Sequence, residues 1–277
     1  MAAAVSIPWA PRWARQYAEF ARVGFVNILA FRLRYYTGVV TYLINVSVYY
    51  FIWKALYAAD PEFAAGFDFP EMVTYVAVGW IIRSVYFNNV DTDMAADIQS
   101  GAIVVTMLKP AGVQVRYLGQ AVGEAAFRLL LLTGPSALLI SLIFPVRPPV
   151  GAAAFAAFLV SLAGSVMLTG ALNFIVGTLA LRMTSILGLL RAKFYVQELL
   201  SGLLVPLTMF PPTIAAAFAW LPFQHIAYTP LRIYLGKLEG AELVQALAVE
   251  WLWAAALMAF GAWFWERMAR QITVHGG

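Results

Sequence analysis

A few charged and amide side chains interrupt long apolar runs, and they are where chemistry would sit: Arg83, Glu124, Arg128, Gln197 and Glu198, with Asn88 and Asn173 beside them. A charge at the centre of a bilayer costs about 2.5–3.5 kcal/mol on the insertion scale, so such groups pair with one another or face a polar cavity. Glu124 and Arg128 stand four residues apart with Glu first, the favourable order for an ion pair on one helix face. Arg83 lies about 10 Å from the inner edge by helix rise, so it snorkels there or is held by a carboxylate or backbone carbonyls. Two readings stay open. The groups neutralise one another and fix packing, or Arg83, Asn88, Asn173, Gln197 and Glu198 line a substrate path. A proton relay finds little support in the second and third runs, whose one carboxylate is paired locally.

Catalytic constellations are missing. His225 and His275 belong to no HExxH pattern, and no GxSxG elbow occurs. The one Gly-Lys pair, Gly236-Lys237, is followed by Leu238, so no GxxxxGK[ST] phosphate loop exists. With 0 cysteines, thiol catalysis, thiolate metal sites and disulfides are excluded. The sequence therefore predicts a non-enzyme without catalytic, cofactor or metal residues, its work supplied by another subunit or an ion gradient.

The elements that hold these residues are apolar. The chain has 277 residues, 62% hydrophobic and 12% charged, with mean hydropathy +0.79. Soluble domains carry about 25% charged residues. The expected fold class is all-α and polytopic, with six spans near 38–57, 72–90, 117–144, 152–181, 194–210 and 243–268 forming one transmembrane domain over 38–268. The fifth is short and interrupted by Gly202 and Pro206. Prolines 211, 212, 222 and 230 cut residues 211–236 into pieces too short to cross, which predicts a re-entrant or surface-lying outer hairpin. The start, MAAAVSIPWAPRW, lacks the basic n-region of a signal peptide. Residues 1–37 read as an amphipathic interfacial arm, with Trp13, Tyr17, Phe20, Gly24, Ile28 and Phe31 opposite Arg12, Arg15, Glu19 and Arg22. Residues 269–277 read as a tail.

Orientation follows the excess of bases beside the spans. Cytoplasmic termini place Arg12, Arg15, Arg22, Arg32, Arg34, Lys109, Arg116, Arg182, Arg191, Lys193, Arg267 and Arg270 inside, and only Lys54, Arg147, Arg232 and Lys237 outside. The first outer loop then holds Asp60, Glu62, Asp68 and Glu71. The net charge of +4 is scattered along membrane edges and does not argue for nucleic acid.

Between the second and third spans stands DTDMAADIQSGAIVVTMLKPAG, Asp91 to Gly112. It reads as a short helix with Asp91 or Asp93 at its start and Gly101 in the left-handed position past its end. An apolar strip stopped by Lys109-Pro110 follows. Met94, Ile98 and Val105 are candidate knobs for a partner surface.

Two stretches resemble one family. Leu199–Gly236 carries Ser201-Gly202, Pro206-Leu207, Pro211, Leu221-Pro222-Phe223, and Tyr228 to Pro230 with Gly236; ADIQSGAIVVTMLKPAG supplies an acidic-start helix, Ile-x-x-Gly and Leu-Lys-Pro. Both are similar to the ABC-2 permeases of ABC transporters, nearest the branch of antibiotic and viologen exporters. The resemblance covers nearly the whole chain. It departs at Gln99-Ser100, where many relatives carry a charge before the glycine. The resemblance implies a half-size export permease of the bacterial inner membrane that dimerises with itself or a similar chain among membrane lipids. ATP and magnesium would be bound by separate cytoplasmic ATPase subunits. It also implies roles. Residues 91–116, with Asp93, Asp97, Ile98, Gly101, Leu108, Lys109 and Pro110, would couple to the ATPase. Pro206, Pro211, Leu221, Pro222, Phe223 and Pro230 would form the outer gate. A non-transport scaffold or assembly factor, and an ion-coupled carrier, are the competing readings; the carrier predicts an internal repeat that the chain does not show.

Overall fold

A computed structural model describes residues 11–30, 32–60, 66–109, 112–183 and 185–270, with side chains at all of these except 12–14, 27–30 and 32–37. Trp13, Ile28, Phe31, Glu62, Pro110 and the tail from 271 therefore lie outside the described side chains. All regular structure among the described residues is helical. Four helices there are long and apolar enough to cross a membrane: Gly38–Ala59, Val113–Ile143, Ala152–Leu181 and Gly240–Ala269. The first belongs to α2 (Arg32–Ala59), and the last two contain α8 (Ala152–Thr178) and α12 (Gly240–Ala269). The second is α6 (Val113–Arg128), a π-helical turn at Leu129–Thr133, and α7 (Gly134–Ile143). Pro135 explains that turn: it cannot donate to Leu131 and its ring would strike that carbonyl, so the helix widens before it.

At the centre stands α3 (Phe69–Tyr86), whose residues from Met72 to Tyr86 are buried except Arg83. Its start is fixed by a capping box: Glu71 N donates to Asp68 Oδ1 at 2.6 Å, and Asp68 N donates to Glu71 Oε2 at 3.0 Å. It stops at Tyr86, short of the predicted Val90, because Asn88 takes over the local backbone. Its Nδ2 donates to Tyr86 O and its Oδ1 accepts from Val90 N. A helix wrapped by protein can keep Glu71 and Arg83, which a lipid-facing one could not.

The fifth predicted span takes a different form. Its helix, α9, runs Leu187–Leu200 rather than 194–210 and spans only about 21 Å. Gly202 at φ 76° ends it, and Pro206 leads into a short 3-10 turn, Leu207–Met209. Two short helices follow, α10 (Pro212–Ala219) and α11 (Tyr228–Tyr234).

The bundle has two distinct ends. One gathers the starts of α3, α8 and α12. There Arg147 contacts Asp68 at 3.0 Å and Glu71 at 3.9 Å, and Lys237 Nζ donates to Glu71 Oε2 at 2.8 Å. The other gathers the ends of α3 and α8 and the starts of α6 and α9, and carries α4 (Val90–Gln99) and α5 (Ile103–Met107). The first helix, α1 (Arg12–Ala30), packs along α6. Gly119 and Gly123 permit this: a Cβ at Gly119 would come 2.8 Å from Phe20 Cβ, and one at Gly123 would collide with the Ala21 carbonyl.

Candidate functional site

The stretch at the α4–α5 end is a rigid mount with an apolar tip. α4 begins after Asn89, which makes no side-chain cap. Asp91 and Asp93, expected as caps, lie inside the helix. Asp91 is instead buried and pairs with Lys193 at 2.7 Å. Asp97 accepts from Tyr117 Oη at 2.5 Å and lies 3.6 Å from Arg116, binding α4 to α6. Arg116 also donates to Thr106 of α5. Gly101 takes φ 78°, as expected past a helix end. Asp93 reaches water, yet the packed protein around it and the carboxylates of Glu124, Asp97 and Asp91 push it up to about 6.

The partner knobs need correcting. Met94 is 0% exposed and sits in a cluster with Phe174, Tyr117 and Trp265, so it anchors α4 to the bundle. Ile98 is half-buried. The apolar residues left in the open are Val104, Val105 at 62%, Met107, and Leu108 at 82%. Lys109 beside them is exposed, and Pro110 lies outside the described residues.

Four of the five predicted path residues make two polar clusters between α3, α8 and α9: Arg83 with Glu198, and Asn88 with Asn173. Arg83 Nε donates to Glu198 Oε1 at 3.0 Å, so a carboxylate holds Arg83. Its guanidinium also lies 5.3, 5.1 and 5.6 Å from the rings of Trp80, Phe87 and Phe194. Gln197, the chain neighbour of Glu198, is buried. One turn away, Asn173 Nδ2 donates to Asn88 O and Oδ1 at 3.0 and 2.9 Å, and Lys193 Nζ donates to Asn173 Oδ1 at 2.6 Å. Lys193 thus joins α4, α8 and α9 at one point. The sequence did not single it out for this, because it reads as an ordinary basic residue at a span edge. A cavity of about 350 Å³ adjoins this point, lined by Phe87, Asn89, Asp91, Arg191 and Phe194 among others. Glu124 and Arg128 pair at 3.0 Å as expected, and Arg128 also donates to the Phe87 carbonyl at the end of α3.

At the other end the predicted gate residues divide between a buried and an exposed limb. Pro206, Pro222 and Pro230 are buried, Phe223 is half-buried, and Pro211 and Leu221 are exposed. α10 contributes no buried residue, whereas Tyr228 to Leu231 of α11 lie in the core. The end of α9 is tied to that buried limb: Tyr228 N donates to Ser201 O at 2.9 Å, and Tyr75 Oη donates to Gly202 O. Among the described residues no group of three His, Cys, Asp or Glu could hold a metal ion.

Helices of membrane-crossing length around a charged helix that is masked from lipid define an integral membrane protein. The chain belongs to the ABC-2 family transporter proteins, whose family matches residues 43–276. It is accordingly a transport component of a membrane. No curated protein matches the chain at a significant level.

Proposed function

We propose that the chain is the permease subunit of an ATP-driven exporter. It crosses a bacterial cytoplasmic membrane six times, with α3 and α9 completing the four long spans, and both termini lie in the cytoplasm. A second permease chain, the same or similar, completes the path, and separate ATPase subunits bind nucleotide and magnesium. The observation that carries the reading is the α4–α5 mount: an apolar tip of Val104, Val105, Met107 and Leu108 held by Met94, Asp91–Lys193 and Asp97–Tyr117. An open apolar patch on a firmly anchored element marks a docking surface. Arg116, Lys193, Arg191 and Arg182 lie at this end against Arg147, Arg232 and Lys237 at the other, and that excess of bases supports a cytoplasmic α4–α5. α1 then lies along the inner membrane face, and the 211–236 hairpin caps the path outside. Lys193 carries a push on α4 directly to α9, which ends at that hairpin.

Co-expression with the ATPase tests the reading. Val105→Asp and Leu108→Asp should reach the membrane in normal amount and retain less than about a tenth of the bound ATPase, because a charge forced into an apolar contact costs more than about 1.4 kcal/mol. Full retention by both variants contradicts docking at this tip.

A further inference from the structure

One face of α8 is polar along much of its length although the helix has no ionisable residue. Ser161, Ser165, Thr169 and Asn173 follow at four-residue steps, and none is more than 1% exposed. Such steps keep side chains on one face, here over about 18 Å. Asn173, at one end, is the group that holds Lys193, itself paired with Asp91. At the other end Ser161 Oγ donates to Glu250 Oε2 of α12 at 2.6 Å. Between them Ser165 Oγ lies 3.1 Å from Ser161 O and 3.2 Å from His225 O, so it seats the buried limb of the hairpin. His225 Nδ1 lies 3.0 Å from Thr229 Oγ1.

Glu250 is 0% exposed, and no ion pair among the described residues includes it. α12 packs chiefly on α8 and on the 3-10 turn Pro222–His225. From α8 it meets the Ser161 hydroxyl and Gly164, where a Cβ would collide with Glu250 Oε1. From the turn the only ionisable group is His225, and along α12 the residues one turn to either side, Ala246, Leu247, Trp253 and Ala254, carry no charge. A carboxylate without a cation in such surroundings costs several kcal/mol, and buried acids take up a proton instead. Ser161 Oγ and Glu250 Oε2 share a hydrogen bond of 2.6 Å, which a neutral acid can make as donor or as acceptor. Among the described residues Oε1, His225 Nε2 and Thr169 Oγ1 have no hydrogen-bond partner, and ordered water ordinarily meets such buried atoms.

We propose that Glu250 is a proton-binding site, and that release of its proton loosens the seat of the hairpin on α8. In that step the O–H bond of the carboxyl breaks, water on the polar face takes the proton, and a carboxylate remains. The carboxylate draws water and the Ser161 hydroxyl, and the α8 backbone at Ser161, whose carbonyl meets Ser165 Oγ beside the His225 carbonyl, repacks. The chain would thus respond to protons whatever it carries.

Infrared spectroscopy of the purified full chain tests the site itself. A protonated carboxylic acid band present near neutral pH should vanish in Glu250→Gln. In Ser161→Ala, which keeps the carboxyl and removes its one hydrogen-bond partner among the described residues, the band should move to higher frequency. No difference in Glu250→Gln, or an unmoved band in Ser161→Ala, overturns the proton site. The seat is tested with Ala227→Cys, a position 0% exposed beside His225. Its labelling by a water-soluble maleimide is referred to the same cysteine in the Glu250→Gln background, which absorbs the thiol's own titration. The ratio should rise about ten-fold per pH unit, the slope of one linked proton, and Ser165→Ala should flatten it. A ratio independent of pH overturns the hairpin link even where the infrared band is confirmed.

Discussion

Arg83 and Glu198 show what a charge needs in order to persist inside this bundle. Their side chains are 13% and 9% exposed, three aromatic rings border the guanidinium, and each ion answers the other. Breaking a buried pair leaves one ion uncompensated, typically at about 3–5 kcal/mol. Arg83→Ala and Glu198→Ala should each lower thermal stability of the extracted chain strongly, while the double variant loses much less than the sum. Additive losses would mean that the two charges do not depend on each other. Asp93 behaves differently, because it sits outside the spans among other carboxylates. Its folded value near 6 lies above the usual carboxylate value of about 4. The unfolded chain therefore ionises first as pH rises, and stability falls between about 4 and 6 and stays lowered above that range. Asp93→Asn should be more stable than the parent above about pH 6 and equal to it below about pH 4. A gain that is the same at every pH would rule out relief of this ionisation.

At the scale of elements, α4 and α5 divide the work between anchoring and display. Met94→Asp should abolish folding or membrane accumulation, since Met94 is wholly buried, whereas Val105→Asp should leave both intact. Equal damage from the two, read by membrane abundance, would show that α5 is packed rather than displayed. The α1–α6 contact makes a separate demand. Gly123→Leu puts a side chain where the Ala21 carbonyl lies, so it should detach α1 and raise proteolysis within residues 11–30. Unchanged protection would argue that the two helices do not touch. Helix positions were legible in part: Gly101 stops α4 as expected, whereas the Asp68–Glu71 capping box starts α3 ahead of the expected Met72, and Gly202, expected inside the fifth span, lies past the end of α9. The faces were not. Met94 and Val105 are equally apolar in sequence, and only the packing of α4 against α8 separates anchor from knob. The polar face of α8 was readable as Ser161, Ser165, Thr169 and Asn173 at constant spacing, but its meaning depends on Glu250, which a one-dimensional reading leaves isolated in α12.

For the whole molecule, the proposed docking tip at one end connects to the hairpin at the other through Lys193 and α9. The Arg83–Glu198 pair shows that one sequence could locate the polar centre, although the partner of Arg83 lies 115 positions away and could not be assigned from spacing. The tip is the part on which the account depends. Its most direct test is photo-crosslinking in native membranes from residue 105, with residue 212 at the opposite end as the reference. Position 105 should capture a protein whose sequence contains a GxxxxGK[ST] loop, position 212 should not, and Leu108→Asp should remove the adduct. Capture of no such ATPase at position 105, or equal capture at position 212, would contradict docking at the tip.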